Sequence, residues 1–212
     1  MRKILLISFS VLSLFSCGTT VKMNMALSSV DVSQNNSSKI YDFDADSIFS
    51  YKDNIISAEW KIGVSELILS VENLSSKTIK IIWDDAAFID IDRTATRIMH
   101  TGTKYSDRNN FQPPTIIPKK TFVIENIVPT NNVYMTDHTW VEGKLFIYVT
   151  YNYKETVNTF TGKHVKLLIP IVTGNEMIEY IFDFKIRSVT KFSIPNYDRK
   201  SYYQQKKKKQ SD

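Results

Sequence analysis

The chain has 212 residues, 42% of them hydrophobic and 23% charged, with 27 Lys and Arg against 22 Asp and Glu and a single cysteine. That balance belongs to a globular chain and excludes a collagen-like or wholly disordered polymer. One cysteine excludes an intrachain disulfide, and with only three histidines beside it a zinc site would be hard to build.

At the start of the chain, Arg2 and Lys3 precede an apolar run over residues 4–15 broken only by serines, and Ser16 and Cys17 follow. A positive start, an apolar stretch and small residues at a cut are the layout of a secretory signal. The run is shorter than the ~20 residues a spanning helix needs, and no other stretch approaches that length. The tetrapeptide Leu14-Phe15-Ser16-Cys17 resembles the lipobox of bacterial lipoproteins, in which a Leu and two small residues precede the cysteine. Leu14, Ser16 and Cys17 match it, and Phe15 is larger than the residue usual at its place. The resemblance implies a signal peptide over residues 1–16 and acyl chains, palmitate among them, on Cys17. It also implies a lipoprotein anchored in a membrane of the cell envelope, expected to be the outer membrane. Lipoproteins of this kind carry three chains, and at about 0.8 kcal/mol per buried CH₂ such an anchor would not detach.

Charge is unevenly spread. Loss of Arg2 and Lys3 with the signal takes the net charge from +5 to +3, and residues 198–212 carry +4, so the remainder is near −1. A nearly neutral body argues against nucleic acid as a partner, because a nucleic-acid-binding domain carries its basic face on the fold itself.

Residues 17–39 are rich in Ser, Thr, Asn and Gln and read as a lipidated flexible tether, with a reach of roughly 25 Å. Residues 40–197 read as strands. Leu67, Leu69 and Val71 alternate with polar neighbours, as do Ile79, Ile81 and Trp83. Leu145, Ile147, Val149, Tyr151 and Tyr153 form a third run. Val165, Leu167 and Ile169 follow, then Ile178, Tyr180, Phe182, Phe184 and Ile186. Period-two patterning in β-branched and aromatic residues means strands with one face in a core. Turn signals separate the runs at Asn73, Gly102, Pro113-Pro114, Gly143, Gly162 and Gly174-Asn175. The expected fold is all-β: a single immunoglobulin-like antiparallel β-sandwich of seven or eight strands, with no helix. Residues 198–212, with Lys206, Lys207, Lys208 and Lys209, read as a basic disordered tail able to touch anionic surfaces.

Within residues 46–135 lie Ile79-Lys80-Ile81-Ile82-Trp83-Asp84, Phe88-Ile89-Asp90, Arg97-Ile98-Met99-His100-Thr101-Gly102 and Pro113-Pro114-Thr115-Ile116-Ile117-Pro118. These segments resemble a group of poorly characterised bacterial envelope lipoproteins with an immunoglobulin-like domain. The resemblance implies a fold and a location but no reaction.

Three clusters are candidates for chemistry. Arg97, His100, Tyr105 and Arg108 combine imidazole, phenol and two guanidiniums, a set that could bind phosphate or carboxylate. The alternative is a polar loop closed by its own hydrogen bonds. Asp42, Asp44, Asp46 and Asp53 echo the spacing of a calcium loop, although Ser47 stands where the turn glycine belongs and Asp53 where the bidentate Glu belongs. The alternative is the exposed face of a strand. Asp84, Asp85, Asp90 and Asp92 are close in sequence, but Asp84 and Asp85 would face opposite ways and Arg93 offers a counter-charge. There is no nucleophile elbow, phosphate loop or dinucleotide fingerprint. No metal site, cofactor or catalytic residue is therefore assigned. The expected function is a non-enzymatic interaction or structural module with an envelope protein or glycan as partner. The alternatives are a glycan-binding module using Trp140 and Tyr134, or an envelope hydrolase built from scattered Asp and His.

Overall fold

The computed structural model describes residues 18–35, 37–43 and 48–192. Cys17, Asp44, Asp46 and residues 193–212 lie outside them. Among the described residues the chain is all-β but for one helix and three short 3₁₀ turns. In chain order the strands are β1 (Thr19–Gln34), β2 (Ser37–Asp42), β3 (Ser50–Lys52), β4 (Ile56–Ile62), β5 (Leu67–Asn73), β6 (Ile79–Ile81), β7 (Ala87–Ile89) and β8 (Ala95–Met99). Then come β9 (Thr115–Ile117), β10 (Phe122–Pro129), β11 (Val133–Thr136), β12 (Thr139–Glu142), β13 (Ile147–Thr150), α1 (Tyr153–Phe160), β14 (His164–Thr173) and β15 (Glu176–Lys191). Fifteen strands, many of them short, replace the seven or eight expected.

The strands form one curled antiparallel sheet in the order β13-β1-β15-β14-β7-β8-β10-β5-β4-β3, with a separate β11–β12 hairpin. The alternation read from the sequence explains the curl's two layers. Ile56, Ala58 and Trp60 of β4 and Leu67, Leu69 and Val71 of β5 point inward from one layer. Val165, Leu167 and Ile169 of β14 and Tyr180, Phe182 and Phe184 of β15 point inward from the other. The layers meet where Trp60 packs edge-on against Phe182 at 5.1 Å and Phe184 at 5.5 Å, the arrangement aromatic quadrupoles favour. The curl nearly closes: Ile48 O accepts from Leu27 N of β1, and Phe49 O accepts from Trp60 N of β4, both at 2.8 Å.

Two expectations are corrected. The segment read as a tether is largely β1, which pairs with β15 from Val21↔Lys191 to Gln34↔Ile178 and with β13 on its other side. Its polar residues sit between Val21, Met23, Met25 and Leu27, all buried, so every second side chain meets the core. A strand needs only alternate apolar residues, and average composition hides that. The run from Leu145 to Tyr153 does not continue as a strand either. After β13 the chain turns into α1, started by Asn152, whose side chain accepts from Glu155 N at 3.2 Å and donates to Glu155 Oε2 at 2.8 Å. This is a variant of the capping box. Tyr153, Val157 and Phe160 lie one helical turn apart and pack on the core.

Candidate functional site: a polar cleft on the β14–β15 hairpin

Gly174 and Asn175 join β14 to β15, and Gly174 at φ 62° supplies the positive φ of a two-residue hairpin turn. Thr173 therefore pairs with Glu176, and each step back along β14 is one forward along β15. Lys166 lands opposite Asp183 and His164 opposite Lys185. His164 and Lys166 alternate with the inward Val165 and Leu167, so both face outward, beside Asp183 on its strand. Asp183 Oδ1 lies 2.6 Å from His164 Nδ1, and Oδ2 lies 2.8 Å from Lys166 Nζ.

A bulge in β1 braces the backbone of Asp183 from behind. The β1–β15 register skips Ser28, and Ser28 Oγ then donates to Asp183 O at 3.0 Å. Asp183 is only 8% exposed, whereas the His164 and Lys166 side chains are about half open. The acid is thus held in place while its two partners reach solvent.

From the other side, β7 pairs with β14 through Ile89↔Lys166 and leads into a turn. Asp90 Oδ1 ties that turn by accepting from Asp92 N and Thr94 N, each at 2.9 Å. Arg93 sits at its tip with φ 66°, uncommon for a residue with a side chain. Ile89, Asp90, Ile91 and Arg93 face Gly162, Lys163, His164, Lys166 and Asp183 across a cleft of about 600 Å³. Three permanent cations and an imidazole meet two carboxylates there. Asp183 is spent on His164 and Lys166, and one Asp90 oxygen on backbone N–H groups. Among the described residues, neither Arg93 nor Lys163 forms an ion pair with an acid. The cleft offers donors and positive charge to an anion.

The residues singled out in the sequence fall elsewhere. Arg97 holds Asp84 and also donates to the carbonyls of Asn109 at 3.0 Å and Asn110 at 2.6 Å. His100 stacks on Trp83 with ring centres 4.5 Å apart and places Nδ1 3.3 Å from Glu125 Oε2. Trp83 Nε1 donates to Thr115 Oγ1, which donates to Glu125 Oε1, both at 2.8 Å, closing a buried network. Burial alone would raise the Glu125 carboxyl. The hydrogen bonds from His100 and Thr115 outweigh it and hold the group below its ordinary value. Tyr105 donates to Glu142, and that bond, with some burial, pushes the phenol up to about 12. Arg108 donates to Tyr105 O at 3.1 Å and lies 4.8 Å over the Trp140 ring. Each of the four is already engaged, and they divide between two constellations: Arg97 and His100 with Asp84 and Glu125, and Tyr105 and Arg108 with Glu142 and Trp140.

Of the calcium candidates, only Asp42 and Asp53 are among the described residues. Asp42 is exposed on β2, and Asp53 is filled. Its Oδ1 accepts from Ile55 N at 2.7 Å and Ile56 N at 2.8 Å, and its Oδ2 from Tyr51 at 3.1 Å and Tyr180 at 3.0 Å. Those four bonds use the lone-pair sites a cation would need. Among the described residues no group of three or more His, Cys, Asp or Glu is placed to hold a metal ion. Asp84 and Asp85 stand on a 3₁₀ turn, not a strand. On the β11–β12 hairpin, Tyr134 pairs with Val141 and Met135 with Trp140, so Tyr134 and Trp140 face opposite ways. Arg108 covers the Trp140 ring besides.

Sequence reasoning missed Arg93, His164, Lys166 and Asp183. The signal was Gly174-Asn175 itself: a two-residue turn fixes the register, and the register names the cross-strand partners. Comparison with protein-family models, with characterised proteins and with solved structures finds no match to this chain.

Proposed function

We propose that the protein is an exported, lipid-anchored module of the bacterial envelope whose cleft binds an anionic group of an envelope partner, without catalysing a reaction. The observation that carries the binding reading is the cleft between Arg93 and the His164–Asp183–Lys166 cluster, where cationic donors outnumber the acids that face them. The order of Arg2, Lys3, the apolar run and the lipobox-like Leu14-Phe15-Ser16-Cys17 supports export and anchoring. An immunoglobulin-like sandwich belongs to the same proposal, supported by the two layers that face each other through Trp60, Phe182 and Phe184. A hydrolase is the second reading, because Asp183 orients His164 as an acid orients a catalytic imidazole. Against it, the described residues that line the cleft include no hydroxyl or thiol, and Ser28 donates to the Asp183 backbone instead of lining the cleft.

The test has two arms. Inorganic phosphate titrated into the protein should shift the ring proton resonances of His164 in a saturable way. Arg93→Gln and Lys163→Gln, which keep the His164 ring as the probe, should each weaken that binding about tenfold, the equivalent of ~1.4 kcal/mol. Binding unchanged in both variants would remove the cleft from the proposal. Cys17→Ser should move the protein out of the detergent-soluble membrane fraction, and normal processing and retention in that variant would remove the anchor.

A further inference from the structure

The correction at β1 changes what an anchor on Cys17 would do. With no tether, the sheet begins two residues after Cys17, and the fold itself is brought to the lipid. Gly18 lies so close to β13 and the residue after it that a methyl group there would stand 2.6 Å from Val149 Cγ1 and 3.3 Å from Tyr151 Cε1. A larger residue there would have to push the Val149 side chain aside. Val149 is 64% exposed and Tyr151 76% exposed. β13 is the terminal strand of the sheet order, pairing with β1 from Thr19↔Thr150 to Lys22↔Ile147. The two side chains therefore form an apolar and aromatic rim beside Gly18, the residue that follows Cys17 in the sequence.

The other end of the chain leaves from the same place. Lys191 pairs with Val21, and Phe192 N donates to Thr20 O at 2.9 Å. Lys191 Nζ stands 5.3 Å over the ring of Tyr153, the first residue of α1. From here residues 193–212 continue, with six basic and two acidic residues. One end of the domain thus gathers the attachment point, an exposed valine and tyrosine, a lysine and the start of a segment of net charge +4.

We propose that this end, with Val149 and Tyr151 at its rim, rests on the anionic headgroup layer of the bilayer that holds the Cys17 lipid, and so sets the orientation of the domain. The inference rests on the lipoprotein reading above. The chemistry of the rim fits an interface: a phenol places its ring at headgroup depth with its hydroxyl in water, and basic residues meet the acidic lipids. Two side chains add little to the affinity of an acylated protein, so their role is to fix tilt.

The test uses the full, lipid-processed chain with one added cysteine, Val149→Cys, Tyr151→Cys or, as a distal control, Met177→Cys beside the Gly174 turn. Each is spin-labelled and reconstituted in phosphatidylethanolamine–phosphatidylglycerol vesicles. Acylation of Cys17 leaves the added thiol as the labelling site. Labels at 149 and 151 should lose several-fold of their accessibility to a water-soluble nickel chelate, while the label at 177 keeps it. Equal accessibility at all three positions, with the N-terminal peptide shown by mass spectrometry to be acylated, overturns the docking and leaves the anchor standing. An N-terminal peptide without acyl groups overturns both.

Discussion

Asp53 and Asp183 are two carboxylates held by the same strand in opposite ways. Asp53 takes two backbone N–H groups and the hydroxyls of Tyr51 and Tyr180, the latter from β15 and fully buried. Every partner is neutral, and each oxygen accepts two hydrogen bonds. Asp183, three residues along β15 and on its outer face, takes an imidazole and an ammonium that both reach solvent. A saturated carboxylate with neutral partners fastens the fold. A carboxylate that only orients cations leaves their remaining valence to a ligand. Spacing of acids in the sequence does not separate the two cases; the identity and burial of the donors does.

Removing the strand that holds β15 should erase the comparison and have the largest effect. A chain beginning at residue 40 would lack β1, and with it buried Val21, Met23, Met25, Leu27 and Val30. Both long edges of the β1 ladder would be left open. That chain should show no cooperative thermal transition by circular dichroism, whereas one beginning at Cys17 should melt cooperatively. A cooperative melt from residue 40 onward would mean that β1 is an accessory strand.

Single substitutions separate the two acids next. Asp53→Ala leaves two phenol hydroxyls and two backbone N–H groups without their acceptor, and should cost about 4 kcal/mol of unfolding free energy. Asp183→Ala releases two side chains that water can reach, and should cost about 1 kcal/mol. Urea titrations of both variants give the ratio directly. Equal losses would show that the cleft acid also fastens the fold, and would weaken its reading as a binding element.

The same contrast explains what could be read in advance. β4, β5, β14 and β15 were legible because Ile, Leu, Val and aromatics alternate there with polar residues. β1 alternates too, but through methionines set among Lys22, Asn24 and the serines, and its mean composition resembles a linker. α1 was obscured because Tyr151 and Tyr153 extend the spacing of β13, although Asn152 and Glu155 mark the helix start. For the site, clustering in sequence was the wrong guide. Arg97, His100, Tyr105 and Arg108 are near one another in the chain, at the end of β8 and just after it, but their partners Asp84, Glu125 and Glu142 come from elsewhere in it. His164 and Asp183 are nineteen residues apart and meet only through the hairpin register.

The smallest expected effect depends on pH and tests whether Asp53 is held by protonated phenols. Burial, and then the charge of Asp53 and the bond to it, push the Tyr51 and Tyr180 hydroxyls far above their ordinary value. A group whose folded value is raised contributes stability that is complete below its unfolded value, near 10, and is lost as the pH climbs past it. The melting temperature should therefore fall between pH 9 and 11 more steeply than loss of charge on exposed lysines alone would cause. Tyr51→Phe removes one of the two phenols and one bond to Asp53, at about 1 kcal/mol near neutrality. It also removes one proton that the folded state must keep. The gap in melting temperature between this variant and the unaltered chain should be widest near pH 8 and should narrow toward pH 11. A gap that stays constant would mean that Tyr51 ionises as readily in the fold as outside it. The bond to Asp53 would then contribute packing but no proton linkage, and the two carboxylates would differ less than their partners imply.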